Sequence, residues 1–486
     1  MSQPNTFMRL ASPNERRTIS REDLGFYNAL IIGAVYEVQS KELDVNSAQS
    51  FISPLKYCIQ KYPYLSVVVK DKHIEKPSYE AVSSINLENH LSIIQDDKSS
   101  SDYETAEFEK VLPPILDRPW PTDIPPWRIV VLPLTSPHGS AVARCFIAFS
   151  FSHTLGDGMV GLAFHRTFLE AWQQTAGREE KDSFLVTPPA RTLPEPFDTP
   201  ERLPISWKFL LAPLLAAYLP KSVGQIFGLR AAASTIDVGT WTGSRFFCEQ
   251  DSIPISRVKI LEIDPPLVQN ALQMSRKHDS KLTGTIHQFI VRALSKSIPN
   301  RDVTNFVSQT AVDMRGSIGT PAYTWGLFVS GYYEVHPRPS NVSEPPLPNE
   351  MWAAAGSMTK KLAECAKSLQ DQAIALLRYA PSIRNWTLGK IGQERDSSYE
   401  VSNLLAFDGG DSDANNNCNI SKMVFAQPAN VLSAPLAFNI VSVKGGSLIC
   451  TVSWQAGALD VPVEQEQSLV DDICSSIRAD FEALGN

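Results

Sequence analysis

Apolar positions follow two different periods along this chain, and the switches between them mark its elements. Residues 26–38 (FYNALIIGAVYEV) form a nearly continuous apolar, β-branched run, which predicts a strand. In 47–62 (SAQSFISPLKYCIQKY), Phe51, Leu55, Cys58 and Ile59 share one face at helical spacing. LSVVV at 65–69 predicts a short strand, and WRIVVLPL (127–134) and VARCFIAFSF (142–151) predict two more. The last of these has no polar alternation over its final six residues, so both of its faces are expected to be buried. Beyond the turn that follows, Val160, Ala163, Phe164, Phe168, Ala171 and Trp172 recur as an amphipathic helix would.

From about 173 to 206 the chain becomes charged and proline-rich (GREEKDSF, TPPARTLPEPFDTPERLP), the composition of a crossover and not of a packed element. A second series begins near 245. It contains the strand SRVKILEI, a helix capped by Thr283 (TGTIHQFIVRALSKSI), and the strands TNFVSQTAVDMR and WGLFVSGYYEV. A Pro-rich loop and a long helix (MWAAAGSMTKKLAECAKSLQDQAIALL) follow. Strands around MVFA, LAFNIVSV and SLICTVSW and a helix over 464–484 close the chain. The pattern predicts an α/β protein of two halves, 1–172 and 245–486, joined by a crossover linker and apolar flap at 173–244. A cleft between such halves is where ligands usually bind.

The balance of 486 residues, 43% hydrophobic and 20% charged, is that of an ordinary globular chain with a sizeable core. A net charge of -8, without any Lys/Arg cluster, gives no field for a phosphate backbone, so nucleic acid is not an expected partner. The N-terminal residues lack a continuous apolar signal core, and the seven cysteines are scattered, odd in number and never spaced as CxxC. Free, mostly buried thiols in the cytoplasm are expected, and neither a disulfide framework nor a zinc site. The sequons at Asn341, Asn385 and Asn419 then carry no weight. The most apolar run, Phe209 to Leu219, is too short to cross a bilayer, which takes about 20 apolar residues. No transmembrane segment is expected. The run suits a core or flap segment, with peripheral membrane contact or a lipophilic substrate entrance as its other uses.

The chemistry is concentrated where the buried strand ends, at His153-Thr154-Leu155-Gly156-Asp157-Gly158. Two glycines bracket Asp157, so the chain turns sharply there and lets backbone and ligand approach closely. A rigid strand would aim the imidazole, and a base of pKa near 6.5 suits proton removal from an alcohol or amine. The Asp157 carboxylate either accepts from that ring or locks the turn by pairing with a buried cation. None of the other seven histidines has an aspartate four residues on.

FSHTLGDG resembles the HxxxD(G) signature of the coenzyme-A-dependent acyltransferase superfamily. That superfamily includes chloramphenicol acetyltransferase, plant BAHD enzymes and peptide-synthetase condensation domains. The fungal alcohol acetyltransferase family is the nearest resemblance, through SREDLGFYNALIIGAVYEV (20–38), LKYCIQKYPYLSVVV (55–69), PPWRIVVLP (125–133) and TWTG (240–243). LTGTIHQFIVRAL (282–294), VDMRGSIG (312–319), YTWGLFVSG (323–331) and YEVSNLLAF (399–407) continue it in order across nearly the whole chain.

The resemblance implies two chloramphenicol acetyltransferase-like domains of mixed sheet flanked by helices, with the active site in a tunnel between them. Acetyl-CoA or another acyl-CoA would be co-substrate, with no permanently bound cofactor and no metal. His153 would be the general base of a ternary complex that moves the acyl group to a hydroxyl or amine of a small, lipophilic acceptor. Asp157 and Gly158 complete the motif, with Asp157 held by an arginine of the other half, here Arg315. Ser402, Asn403, Trp325 and Gly326 are the candidates for oxyanion or substrate contacts. The family often works as a monomer.

The DFGWG motif of plant enzymes is absent, TWGLFVSG standing in its place, and Ser152 replaces the first histidine of the condensation-domain pair. Acyl transfer from a carrier protein is the rival enzymatic expectation, and a non-catalytic ligand-binding relative the non-enzymatic one. GxSxG, HExxH and GxxxxGKS/T do not occur, Ser53-Pro-Leu-Lys56 is an isolated SxxK, and DGGDSDANNN (408–417) lacks the spacing of a calcium loop.

Overall fold

The computed structural model describes residues 5–39, 44–94, 104–136, 142–175, 183–211, 235–248, 253–340, 342, 347–409 and 418–485. Most of the apolar run at 209–219, with the flap and membrane-contact expectations attached to it, lies outside them. So does most of the acidic loop at 408–417. Among the described residues no helix is long and apolar enough to cross a membrane.

Two sheets organise the chain. The first has five strands in the order Cys418–Ala426, Leu30–Val38, Ala143–Phe151, Trp127–Leu134 and Leu91–Ile93. Ala143–Phe151 is central and antiparallel to both neighbours, with Phe151 opposite Leu30 on one side and Trp127 on the other. Its apolar run is explained by cover on both faces. Helices Gln49–Lys61 and Gly158–Thr175 pack one face through Phe51, Leu55, Phe164 and Phe168, and helix Glu104–Asp117 packs the other through Phe108, which stacks on Phe146 at 4.2 Å. The helix after the histidine turn lies close against the sheet: a Cβ on Gly161 would come within 2.0 Å of Ile32 Cγ1.

The second sheet has six strands in the order Ser256–Ile263, Leu448–Gln455, Leu436–Val443, Tyr399–Phe407, Asn305–Asp313 and Val329–Pro337. Its pairings are antiparallel except the two that Tyr399–Phe407 makes, which are parallel. Helices Leu282–Ser297 and Val463–Ala483 bury Phe289, Ile290, Ile473 and Phe481 against it. The division into halves is not clean along the chain, because Cys418–Ala426 crosses over and pairs antiparallel with Leu30–Val38, Ala426 opposite Ile31.

Several elements differ from expectation. Helix Leu282–Ser297 starts one residue ahead of Thr283, with Lys281 at the cap position and no side-chain cap, so Thr283 lies in its first turn, where its Oγ1 accepts from Asn403 Nδ2. The long helix predicted from 351 to 377 ends at Cys365. There Gln372 Nε2 donates to the carbonyls of Cys365 and Ser368, and Asp371, at φ 59°, binds Ser206 N at 2.6 Å. The second strand of that region starts at Val329 and not at Trp325, since residues 325–328 pack on the histidine turn. Helix Pro13–Asp23 and strand Tyr399–Phe407 are elements that the apolar pattern does not predict. The helix carries a legible signal in Ser12-Pro-Asn-Glu15, which forms a full capping box.

Candidate active site

Leaving the central strand at Phe151, the chain turns through Ser152–Asp157 and enters helix Gly158–Thr175. Ser152 is buried and fastened to Glu22, its Oγ also lying 2.8 Å from Thr154 Oγ1, while Tyr79 donates to the Thr154 carbonyl at 2.7 Å. Gly156 has φ +157°, and a Cβ there would come within 2.4 Å of Val160 Cγ2. The turn therefore requires glycine, and it brings the Gly156 carbonyl 2.8 Å from His153 Nδ1.

That contact decides the state of the imidazole. A carbonyl only accepts, so Nδ1 carries the proton and Nε2 keeps its lone pair. Burial, then the positive charge of Arg17, lowers the ring's pKa to about 4, so it is neutral at physiological pH. His153 reaches the wall of a cavity of about 360 Å³, beside Tyr27, whose ring centroid is 5.5 Å away. Residues of both halves line this space. Arg17, Tyr27, His153 and Gly158 come from the first, and Gln309, Tyr333, Glu400 and Ser402 from the second.

Asp157 does not touch the ring nitrogen. Its Oδ1 accepts from Arg315 Nη2 at 2.9 Å and from Met159 N at 3.1 Å, and its Oδ2 accepts from Phe328 N at 2.9 Å. Arg315 is itself held by Asp313 Oδ1 at 2.9 Å and the carbonyl of Thr324 at 3.0 Å, and lies 4.7 Å from the Phe328 ring centre. Burial works against the guanidinium's charge, but Asp157 and Asp313 outweigh it and raise the Arg315 pKa. Of the two roles open to Asp157, the geometry matches the second, a carboxylate that ties the turn to the other half.

The remaining candidates divide. Ser402 and Asn403 line the cavity from strand Tyr399–Phe407, where a register shift between Asn403 and Ala406 and a positive φ of 63° at Leu405 break the ladder. Asn403 Oδ1 accepts from Leu405 N at 2.8 Å, and its Nδ2 donates to Thr283 at 3.1 Å. Trp325 and Gly326 lie behind the turn and not on the cavity wall. The one indole N–H of Trp325 donates to the Leu155 carbonyl at 2.7 Å, and Gly326 O accepts from Asp157 N at 3.2 Å. Trp325 therefore has no second indole hydrogen to offer an oxyanion, while the contacts of Gly326 engage its carbonyl.

Sequence reasoning missed the polar wall facing His153. Tyr27 donates to Gln427 Oε1 at 2.7 Å, Gln427 Nε2 donates to Glu400 Oε1 at 2.9 Å, and Ser433 Oγ donates to Glu400 Oε2 at 2.6 Å. It also missed Arg17 and Arg21, which reach the cavity from helix Pro13–Asp23. Among the described residues no cluster of His, Cys, Asp and Glu is suited to hold a metal ion.

Two packed α/β halves with a histidine turn between them are the architecture of the chloramphenicol acetyltransferase-like acyltransferases. The solved structure of TRI3 trichothecene 15-O-acetyltransferase from Fusarium sporotrichioides superposes with a TM-score of 0.64 at 13% identity, over 97% of this chain and 94% of that one. TRI101 of the same organism, solved with coenzyme A and T-2, gives 0.57 at 12% identity, over 95% and 97%. Residues 44–479 match the family model described as alcohol acetyltransferase, and the chain belongs to that family. Probable alcohol acetyltransferase FCK4 of Fusarium pseudograminearum (strain CS3096) is 22% identical over 458 residues, 91% of this chain and 87% of the relative.

Proposed function

We propose that the protein transfers an acetyl group from acetyl-CoA to a hydroxyl, or an amine, of a small acceptor, with His153 as general base in a ternary complex. The observation that carries this reading is the 2.8 Å contact of His153 Nδ1 with the Gly156 carbonyl, which reserves Nε2 for the proton of the incoming nucleophile. As the acceptor oxygen bonds to the thioester carbonyl carbon, its proton passes to Nε2. The C–S bond then breaks, and the proton leaves Nε2 for the departing thiolate. No acyl-enzyme forms. A base placed in this way typically contributes about 10²–10⁴-fold.

The oxyanion needs a donor other than Trp325, and we assign it to Ser402, which lines the cavity beside Asn403. The two amide contacts of Asn403 fix the strand at that point. Asp157 and Arg315 hold the turn in place and take no part in proton transfer.

The test is acceptor-dependent thiol release from acetyl-CoA by the purified protein, with a panel of small alcohols and amines and detection of the acetylated product. Product with at least one acceptor is expected. Stabilisation by coenzyme A without turnover on any acceptor contradicts the proposal and leaves a ligand-binding relative.

A further inference from the structure

Helix Pro13–Asp23 sends Arg17 and Arg21 to the wall of the cavity that holds His153. Among the described residues neither guanidinium has an ion-pair partner, and the Nε of each is buried without a hydrogen-bond acceptor. Arg21 Nη2 reaches the Leu432 carbonyl only at 3.4 Å. The facing carboxylate, Glu400, is already held by the neutral donors Gln427 and Ser433. Asp396, on the same wall, is joined to Lys390. Burial, then the charge of Arg21, lowers the Arg17 pKa to about 10, and burial lowers Arg21 as well; the charge of Glu400 opposes both shifts without reversing them. Two partly buried cations on one cavity wall, each with a buried Nε that lacks an acceptor, call for an anion beside them.

We propose that Arg17 and Arg21 bind a carboxylate on the acceptor, so that the protein acetylates a hydroxy or amino acid and not a neutral alcohol. The inference deepens the acetyl-transfer reading and rests on it. Both arginines line the same cavity as His153. The phosphates of coenzyme A are separated from its sulfur by an arm about as long as four extended residues, roughly 13 Å, so an anion next to the base belongs to the acceptor. A planar guanidinium also matches a carboxylate through two parallel hydrogen bonds. The bound carboxylate does more than anchor. It offsets the repulsion between the arginines and the imidazolium that forms as Nε2 takes the proton, so it raises kcat as well as lowering KM.

The experiment compares ω-hydroxyalkanoates of increasing chain length with their methyl esters as acceptors, at saturating acetyl-CoA, in wild type, R17Q, R21Q and R17K. For the best chain length, wild type is expected to favour the acid over its ester by about 10- to 100-fold in kcat/KM, the ratio one charge-assisted hydrogen bond supplies. R17Q and R21Q should lose most of that ratio, and R17K should keep part of it. If R21Q fails to fold, R17Q and R17K decide the matter. Equal or better turnover of the esters by wild type overturns the anion site while leaving acetyl transfer intact. An unchanged acid-to-ester ratio in the variants also overturns it. So does weaker coenzyme A binding by R17Q in calorimetry with the ratio unchanged, which would assign the guanidiniums to the donor's phosphates. Absence of turnover with acids and esters alike overturns the acetyl-transfer reading and the acceptor site with it.

Discussion

Arg315 Nη2 lies 2.9 Å from Asp157 Oδ1, and each of the two side chains is 1% exposed. The pair joins residues 158 positions apart, one on the histidine turn and one at the end of strand Asn305–Asp313. Removing one member strands the other charge in the interior, which typically costs about 3–5 kcal/mol. Arg315→Ala is therefore expected to lower the unfolding free energy by that amount in urea titration, and to lose soluble protein before any loss of chemistry is seen. A fully stable but inactive variant would show that Arg315 acts on substrate.

Gly156→Ala tests the turn itself. The added methyl would meet Val160 Cγ2 at 2.4 Å, in a backbone conformation that side chains rarely adopt. Strain of this kind costs on the order of 1–3 kcal/mol, and relieving it moves the carbonyl that holds His153 Nδ1. Activity is expected to fall more than tenfold, well beyond the fraction of protein that calorimetry finds unfolded. Wild-type activity in a normally folded variant would mean that the carbonyl contact does not position the base.

Ser402→Ala tests the oxyanion assignment. Loss of one such donor typically costs about 10²–10³ in kcat. The expected change is in kcat, with little change in the KM for acetyl-CoA. A raised KM with kcat preserved would make Ser402 a binding contact only.

Five histidines give the fold a definite response to acid. Burial lowers His90, His153, His165 and His336 to about 4, and lowers His287 well below its ordinary value. Between pH 6.5 and about 4 the unfolded chain binds protons at these sites that the native protein does not. Stability therefore falls as pH falls through that window, by up to about 1.4 kcal/mol per pH unit for each histidine. Asp117, Asp313 and Asp480, raised by burial, oppose the trend but are fewer. Melting temperature should drop steeply from neutral pH toward pH 5, and a flat or rising profile would contradict the buried neutral rings.

The strand Ala143–Phe151 and the turn after it were legible because an all-apolar run followed by a glycine-bracketed aspartate leaves few alternatives. Arg315 could be matched to Asp157 only through the resemblance, since nothing local at VDMRG shows that its guanidinium turns into the interior. Strand Tyr399–Phe407 escaped the pattern because Glu400, Ser402 and Asn403 are polar where a central strand is normally apolar, and they face a cavity. Arg17 and Arg21 look like the solvent face of a helix until the tertiary packing turns that face inward. Trp325 shows the reverse failure: a residue attractive by motif proves committed to the Leu155 carbonyl.

The most direct test of the account is acceptor-dependent thiol release by His153→Ala beside wild type, with melting temperatures measured on the same preparations. The account predicts a loss of about 10²–10⁴-fold in kcat/KM with the fold retained, and an acid limb of the wild-type profile well below pH 6.5, because the ring stays neutral down to about 4. Equal rates from the two proteins would contradict it.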